Sequence, residues 1–229
     1  GITTGGTLWG VNARTIQKAA TIHAVAMVDP DGVDLVTGGI APGTLEYASA
    51  ESLAARYPGI PFPDGWKANL LGVDLNLQYP AGWLNAREIK FAAGYTRPGP
   101  RDYVGRAPLS QRESKALAEY TRRVNPQLVL AYHTQGKVIY WQFRDCQVPG
   151  AQALAREFAR VSGYRVEDTP YESSFAGYKD WFIQAFRRPG FTIEAGSGEN
   201  PLPLSQFDTI YRDNLGILTT AALGLPGGA

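Results

Sequence analysis

The sequence predicts an α/β fold in which helices cover both faces of a sheet. Short apolar runs typical of strands alternate along the chain with amphipathic segments typical of helices. This alternation favours a sheet that is buried on both sides. The 229 residues suffice for one substantial domain but are few for two, so we expect a single domain over residues 1–229.

The N-terminal part of the chain is expected to contribute one strand. Residues 11–20 predict a short helix or turn, and the apolar run TIHAVAMV at 21–28 predicts the strand. His23 lies inside this run, so we expect a core or sheet-face residue there rather than a metal ligand. The DPDG sequence at 29–32 is typical of a tight turn.

Two long loops and a capped helix are predicted in the middle of the chain. The loops span residues 36–69 and 95–108, and loops of this length usually form a functional surface. Ser110 and Glu113 have the spacing of a capping box, which predicts a helix from there to about Arg123. The other predicted helices span residues 48–56, 151–162, 179–190 and 205–222, and the other strands span residues 137–141 and 164–168.

Two apolar runs in the second half of the chain each end in a polar residue. Residues 127–132 lead to His133, and residues 191–193 lead to Glu194. Catalytic groups in α/β folds lie at the carboxyl ends of strands. An imidazole and a carboxylate in such places suggest metal-assisted hydrolysis, with histidine as ligand and glutamate as general base. The alternative is a capped core histidine and an unrelated surface acid.

Composition excludes several classes of function. The net charge is +1, which argues against binding to nucleic acid or to a membrane surface. Cys146 is the single cysteine, so neither an internal disulfide nor a multi-thiolate zinc site is possible. No apolar run approaches the roughly 20 residues of a membrane span, and the first ten residues lack the pattern of a signal peptide.

Four stretches in order resemble the zinc carboxypeptidases of the carboxypeptidase A type. They are VDPDGVDLV, GVDLNLQYP, YHTQGKVIYW and SSFAGYKDWF with RRPGFTIEAG, and the resemblance covers residues 21–222. Within that family the chain is similar to the bacterial γ-D-glutamyl-L-diamino acid endopeptidases, which act on peptidoglycan peptides. The resemblance implies a carboxypeptidase-like mixed sheet, a zinc cofactor and a peptide substrate. It also implies that the protein acts at the cell wall or outside the cell, or on recycled peptides in the cytoplasm.

The resemblance also implies roles for individual residues. His133 corresponds to the third zinc ligand, and Glu194 to the general base that activates water. Asp74 corresponds to an acid that orients a ligating imidazole. Asn76 corresponds to the asparagine that hydrogen-bonds the substrate's carboxylate.

Two further residues are implied to bind substrate, and for both a surface or packing role remains an equal alternative. Tyr171 lies close to the place of the family's mobile tyrosine. Lys179, together with Asp180, falls where the specificity pocket is built.

The chain departs from the family pattern at the metal site. The family binds zinc through a His-x-x-Glu pair and a third ligand, and no His-x-x-Glu occurs in these 229 residues. Catalytic zinc needs three protein ligands. We therefore expect the segment with this pair to be missing and zinc to bind weakly or not at all.

Two arginines of the family are replaced as well. Leu71 and Leu77 occupy the positions of the arginines that stabilise the oxyanion and grip a C-terminal carboxylate. Leucine can do neither, so the pattern favours an endopeptidase or amidase over a strict exopeptidase. Arg101 is the candidate to supply the charge, with Lys179, Arg97 and Arg106 as alternatives.

Three functions are consistent with these residues. The first is a zinc peptidase of cell-wall turnover. The second is a non-catalytic relative that binds cell-wall peptide or a protein partner through the same cleft. In the third, His133 and Glu194 are remnants of the fold without a function.

Overall fold

The computed structural model describes residues 5–224, which fall into two compact units. The first unit contains the described residues up to Val25, Gln127–Asp168 and those from Arg187 onward; the second contains Ala26–Pro126 and Thr169–Phe186. The strands are β1 (Thr7–Leu8), β2 (Val11–Asn12), β3 (Val129–His133), β4 (Val138–Tyr140), β5 (Arg165–Glu167) and β6 (Gly190–Glu194). The helices are α1 (Ala13–Ala19), α2 (Pro30–Thr37), α3 (Leu45–Ala54), α4 (Trp83–Ala92), α5 (Arg112–Val124), α6 (Ala151–Ser162), α7 (Tyr178–Phe186) and α8 (Phe207–Leu223).

The first unit holds a four-stranded mixed sheet. Its strand order is β3–β6–β4–β5. β3 and β6 are parallel, β4 and β5 are parallel, and β4 runs antiparallel to β6. The predicted α/β fold with a mixed sheet is therefore confirmed, and each of its four strands lies within two residues of a predicted one.

The core of the first unit lies between this sheet and helix α6. Phe158 of α6 contacts Phe191 of β6 edge to face, with ring centroids 4.9 Å apart, and both are fully buried. Aromatic pairs in this geometry add to the free energy gained from burial. Helix α8 closes the same core where Gly216 meets Val161, because a Cβ at residue 216 would lie 2.8 Å from the Val161 Cβ.

The second unit is mainly helical. One core packs Leu35 of α2 and Ala50 of α3 around Trp66. A second contains Tyr79 and Trp181, whose rings stack with centroids 5.7 Å apart. The segment before Tyr79 forms a short 3-10 helix, Leu75–Leu77.

The predicted strand at 21–28 is wrong. Within residues 5–224 no strand pairs with this segment, and its backbone adopts no regular structure. Ile22, Val25 and Met27 are half-exposed, and His23 is exposed rather than in a core. A strand needs a neighbour for its backbone hydrogen bonds, so strand propensity alone did not suffice here.

Two local predictions are also corrected. The DPDG sequence begins helix α2 instead of a tight turn, because Asp29 caps it by accepting a hydrogen bond from the backbone N–H of Gly32. Helix α5 begins after Gln111 without a side-chain cap, so Ser110 is not its N-cap. The Ser110 hydroxyl instead lies 3.0 Å from Gln78 Oε1, and Glu113 accepts a hydrogen bond from Asn69.

Candidate functional site

His133 and Glu194 lie side by side at the carboxyl ends of neighbouring strands. They are register partners in the parallel pair β3 and β6. Register partners in adjacent strands direct their side chains to the same face of a sheet, and such strands are about 4.8 Å apart. Both side chains are partly buried. The structure therefore places this imidazole and this carboxylate at one end of the sheet and on one face.

The loops that follow the two strands are hydrogen-bonded to each other. The backbone N–H of Ala195 donates to the carbonyl of His133 at 2.8 Å, and that of Gly136 donates to the carbonyl of Gly196 at 2.9 Å. The Asn200 side chain donates to the Thr134 carbonyl at 3.0 Å. These bonds link the backbone beyond β3 to the backbone beyond β6.

In the second unit, Asp74 is a buried acceptor at the start of the GVDLNLQYP segment. Its Oδ1 accepts the backbone N–H of Asn76 at 3.1 Å. Its Oδ2 accepts the backbone N–H of Asp102 at 3.2 Å and lies 3.2 Å from the Lys67 ammonium. The Asp74 carboxylate thus links the turn at Asn76, the loop at Asp102 and the ammonium of Lys67.

Gln78 binds the loop at 102–111 to the same segment. Its side-chain oxygen accepts hydrogen bonds from the backbone N–H groups of Ser110 at 2.9 Å and Gln111 at 3.1 Å. Its side-chain nitrogen donates to the carbonyls of Val104 and Ala107. Since Gln78 is fully buried, each of these bonds replaces a bond to water.

Asn76 lies beside the start of helix α7. A Cβ at Gly177 would lie 2.7 Å from Asp180 Oδ2, which is too close, and 3.5 Å from Asn76 Oδ1, which is an ordinary van der Waals distance. Among residues 5–224, the Asn76 side-chain amide forms no hydrogen bond. The structure thus brings Asn76 and Asp180 together at Gly177.

Lys179 forms a buried ion pair. Its ammonium lies 2.5 Å from Asp180 Oδ1 and also donates to the hydroxyl of Thr169 at 3.4 Å. The Lys179 side chain is only 5 % exposed. Removing one partner of such a pair would leave the other charge buried and uncompensated.

Tyr171 is exposed. It begins a short 3-10 helix, Tyr171–Ser173, and its ring contacts Phe175 edge to face with centroids 5.2 Å apart. The side chain is 59 % exposed, so solvent reaches it directly.

Arg101 is tied to a neighbouring acid. Its Nε donates to Asp102 Oδ2 at 2.9 Å, while the other Asp102 oxygen lies 2.6 Å from the Lys90 ammonium. Burial raises the pKa of Asp102, but the hydrogen bond and charge of Lys90 outweigh it and hold that pKa below its usual value. Asp102 is therefore a carboxylate that forms ion pairs with both Lys90 and Arg101. It partly neutralises the positive charge of Arg101.

Asp29 is a carboxyl group whose pKa is raised into the neutral range. Burial raises the pKa of Asp29 to about 7, opposed by the hydrogen bond from Gly32 and assisted by the negative charges of Glu113, Asp31 and Asp74.

Comparison with known proteins identifies the family. The model of the zinc carboxypeptidase family (Peptidase_M14) matches residues 11–216. The chain belongs to the zinc carboxypeptidase family. The match includes residues of both compact units.

Relatives and a solved structure agree with this assignment. The chain is 50 % identical over 211 residues to "Gamma-D-glutamyl-L-diamino acid endopeptidase 1" of Lysinibacillus sphaericus, covering 92 % of this chain and 51 % of that protein. It is 36 % identical to the uncharacterized protein YqgT of Bacillus subtilis, covering 93 % of this chain and 55 % of that protein. The chain thus spans about half the length of these relatives. A carboxypeptidase A structure from Helicoverpa armigera has the same fold, with a TM-score of 0.60 and 18 % identity over 87 % of this chain and 50 % of that chain.

The family implies zinc, and the described residues do not by themselves fit it. Within residues 5–224, no group of three or more His, Cys, Asp or Glu side chains is arranged to hold a metal ion. A catalytic zinc site in a protein uses three such ligands. His133 would be one member of a larger set of ligands.

Leu71 and Leu77, which the resemblance predicts to replace two arginines of the family, have different environments. Leu71 is 68 % exposed and Leu77 is 7 % exposed. Leu77 is therefore a packing residue, and Leu71 is an apolar side chain in solvent. Neither offers positive charge.

One polar residue of this region was missed from the sequence. Lys67 lies seven positions before Asp74 and contacts it, which no helical or strand period indicates. The available signal was Asp74 itself, because a buried carboxylate requires donors or a cation.

None of the helices described in residues 5–224 is long and apolar enough to cross a bilayer.

Proposed function

We propose that this chain forms part of a peptidase that hydrolyses γ-D-glutamyl–diamino acid bonds in peptides derived from peptidoglycan. The proposal is supported by 50 % identity over most of the chain to a protein named for that activity. The observation that carries it is the pairing of His133 with Glu194 at the ends of β3 and β6. We place its action at the cell wall or outside the cell, with recycling in the cytoplasm as the alternative.

Glu194 is the proposed general base. Its carboxylate accepts a proton from the attacking water while the water oxygen bonds to the peptide carbonyl carbon. The C–N bond then breaks, and the proton passes to the nitrogen of the leaving amine. One water is consumed, and a carboxylic acid and an amine are produced.

Other residues are proposed to hold the substrate or the metal. His133 is proposed as a metal ligand, and the metal would supply Lewis-acid chemistry when bound. Asn76 offers an uncommitted amide that can donate to a substrate carboxylate. Asp74 is proposed to orient a ligating imidazole, as the resemblance implies. In the structure its carboxylate contacts the Lys67 ammonium and accepts the backbone N–H of Asn76.

Specificity is proposed to come from Lys179, Asp180 and Tyr171, with Arg101 as a further candidate. Lys179 and Asp180 are proposed to form part of the wall of a specificity pocket as a buried ion pair. Tyr171 is exposed and can cover a bound peptide. Arg101 has a weaker claim to a substrate carboxylate than Asn76, because it already shares its charge with Asp102.

A second candidate function is a protein that binds the same peptides without cleaving them. One observation favours it: residues 5–224 contain no group of side chains that could hold a metal ion. In this case Asn76 and the Lys179–Asp180 pair keep their binding roles, and Glu194 has no catalytic one.

A single pair of peptides separates the two functions. The purified chain is incubated, in buffer with a zinc salt, with γ-D-glutamyl-L-lysine and with its α-linked isomer, and free lysine is measured by chromatography. Cleavage of the γ-linked peptide alone supports the peptidase. Calorimetric binding of that peptide without cleavage supports the binding protein. Absence of both contradicts both functions.

A further inference from the structure

We infer that Gln206 is a positioning residue for Glu194. Its side chain holds the backbone of Ser197, and through Gly196 it keeps Glu194 in place opposite His133. The inference rests on the proposed function, in which Glu194 is the general base. All of these residues belong to the first compact unit.

The Gln206 side chain binds both backbone groups of one residue. Its Oε1 accepts the N–H of Ser197 at 3.1 Å, and its Nε2 donates to the Ser197 carbonyl at 2.7 Å. Gln206 occupies the N-cap position of helix α8, but its side chain makes no cap bond to that helix. The acceptor and the donor of the amide are therefore both used to fix Ser197, three residues after Glu194.

Gly196 joins the end of β6 to the segment that follows β3. Its carbonyl accepts the backbone N–H groups of Gly136 at 2.9 Å and Lys137 at 3.1 Å. Its φ of +75° favours glycine, and a Cβ there would lie 2.5 Å from Leu202 Cδ1 and 2.9 Å from Ile210 Cδ1. Gly196 is therefore packed directly against the segment before α8 and against α8 itself.

Two further hydrogen bonds join the ends of the two strands. Ala195 directly follows Glu194, and its N–H donates to the carbonyl of His133 at 2.8 Å. The side chain of Asn200 donates to the carbonyl of Thr134, the residue after the histidine, at 3.0 Å. The loop at 195–206 is thus bonded to the backbone beyond β3 at several points.

These contacts form a continuous path from Gln206 to the proposed base. A shift of Ser197 moves Gly196, and a shift of Gly196 changes where the Glu194 carboxylate lies relative to the His133 imidazole. Catalytic groups must be held by their surroundings to within about 0.5 Å, and a misplacement of about 1 Å can lower a rate about a hundredfold. Gln206 therefore acts on the reaction without touching the substrate.

The alternative is that Gln206 only stabilises the fold. Its side chain is half-buried, and Ser197 is exposed, so these two bonds compete with bonds to water. A residue that only stabilises the fold would affect all amides of the unit alike when it is replaced. A positioning residue would affect the amides beside Glu194 and leave those inside the strands protected.

The test compares Gln206→Met, which keeps the length of the side chain and removes both bonds, with the wild-type chain. Gln152→Met, at an exposed position of α6, is the matched control. Turnover of γ-D-glutamyl-L-lysine, in buffer with a zinc salt, gives kcat and KM. Hydrogen exchange measured by NMR gives the protection of the Ala195 amide, beside Glu194, and of the Ile193 amide, inside β6.

We expect Gln206→Met to lower kcat about tenfold with KM changed by less than about twofold. The Ala195 amide should exchange about ten times faster, with the exchange of Ile193 unchanged. Gln152→Met should change none of these quantities. Wild-type kcat in Gln206→Met would overturn the inference, as would equal acceleration of exchange at Ala195 and Ile193.

The exchange measurement separates this inference from the proposed function. If the wild-type chain shows no turnover, the proposed peptidase function fails. Exchange then decides on Gln206 alone: faster exchange at Ala195 but not at Ile193 supports its positioning of the strand end, and any other exchange result overturns it.

Discussion

Glu194 lies opposite His133, one on each of two adjacent parallel strands, and the backbone just beyond β6 donates to the carbonyl of His133. An imidazole and a carboxylate that are about sixty residues apart in the chain therefore reach one end of the sheet. Parallel pairing produces this because the carboxyl ends of both strands point the same way.

Asp29 should make stability depend on pH. Its pKa is about 7 in the folded chain and near 3.8 in the unfolded chain, so ionisation costs more when the chain is folded. Its contribution to stability is complete below about pH 4 and is lost as the pH rises to about 7. Asp29→Asn keeps an oxygen that can accept from Gly32 and removes the charge.

We expect Asp29→Asn to be more stable than the wild type at pH 8 by about 1 kcal/mol, after allowance for partial solvent access, with the difference vanishing near pH 4. Urea unfolding at both pH values measures this. A variant that is less stable at pH 8 would contradict the assignment.

Gln78 should be needed for stability. Gln78→Leu would leave the carbonyls of Val104 and Ala107 and the N–H groups of Ser110 and Gln111 without their buried partner. We expect a loss of about 2–4 kcal/mol in urea unfolding. Gln152→Leu, at an exposed position of α6, is the control and should change stability by less than about 0.5 kcal/mol. Equal effects of the two substitutions would show that the buried amide contributes nothing.

A side chain at residue 216 should lower the stability of the fold. An added Cβ would lie 2.8 Å from the Cβ of Val161, which forces α8 and α6 apart. We expect Gly216→Ala to lower stability by about 1–3 kcal/mol despite the higher helix propensity of alanine. Gly59→Ala is the comparison, because a Cβ there meets nothing within 4 Å. A rise in the melting temperature of Gly216→Ala would refute the close approach of the two helices.

The Lys179–Asp180 pair should behave as one unit. Lys179→Met alone leaves Asp180 buried without its cation and should cost about 3–5 kcal/mol. The double variant Lys179→Met/Asp180→Leu removes both charges and should recover part of that loss. If the double variant is less stable than the sum of the single changes predicts, the two side chains do not compensate each other.

The sequence predicted the parts of the structure that depend on local pattern. The apolar runs before His133 and Glu194 marked both strands, and the period of α6 marked that helix. The local pattern gave a wrong prediction where a residue distant in the sequence competes for the hydrogen bonds. Ser110 has the spacing of a helix cap, but the buried side chain of Gln78 takes its hydrogen bonds.

Other features depended on contacts that a pattern does not contain. The run at 21–28 has the composition of a strand, yet no strand within residues 5–224 pairs with it. Lys67 was not singled out, because its position becomes meaningful only through its contact with Asp74. In each case the deciding partner is remote in sequence.

The role of Glu194 is tested most directly by kcat for γ-D-glutamyl-L-lysine in Glu194→Gln, with Glu167→Gln on β5 as the control. Glutamine fills the same space but cannot accept the water's proton. We predict a fall in kcat of about a hundredfold or more in Glu194→Gln, with peptide affinity kept and with wild-type kcat in the control. Wild-type kcat in Glu194→Gln would contradict the account, because the carboxylate opposite His133 would then take no part in the reaction.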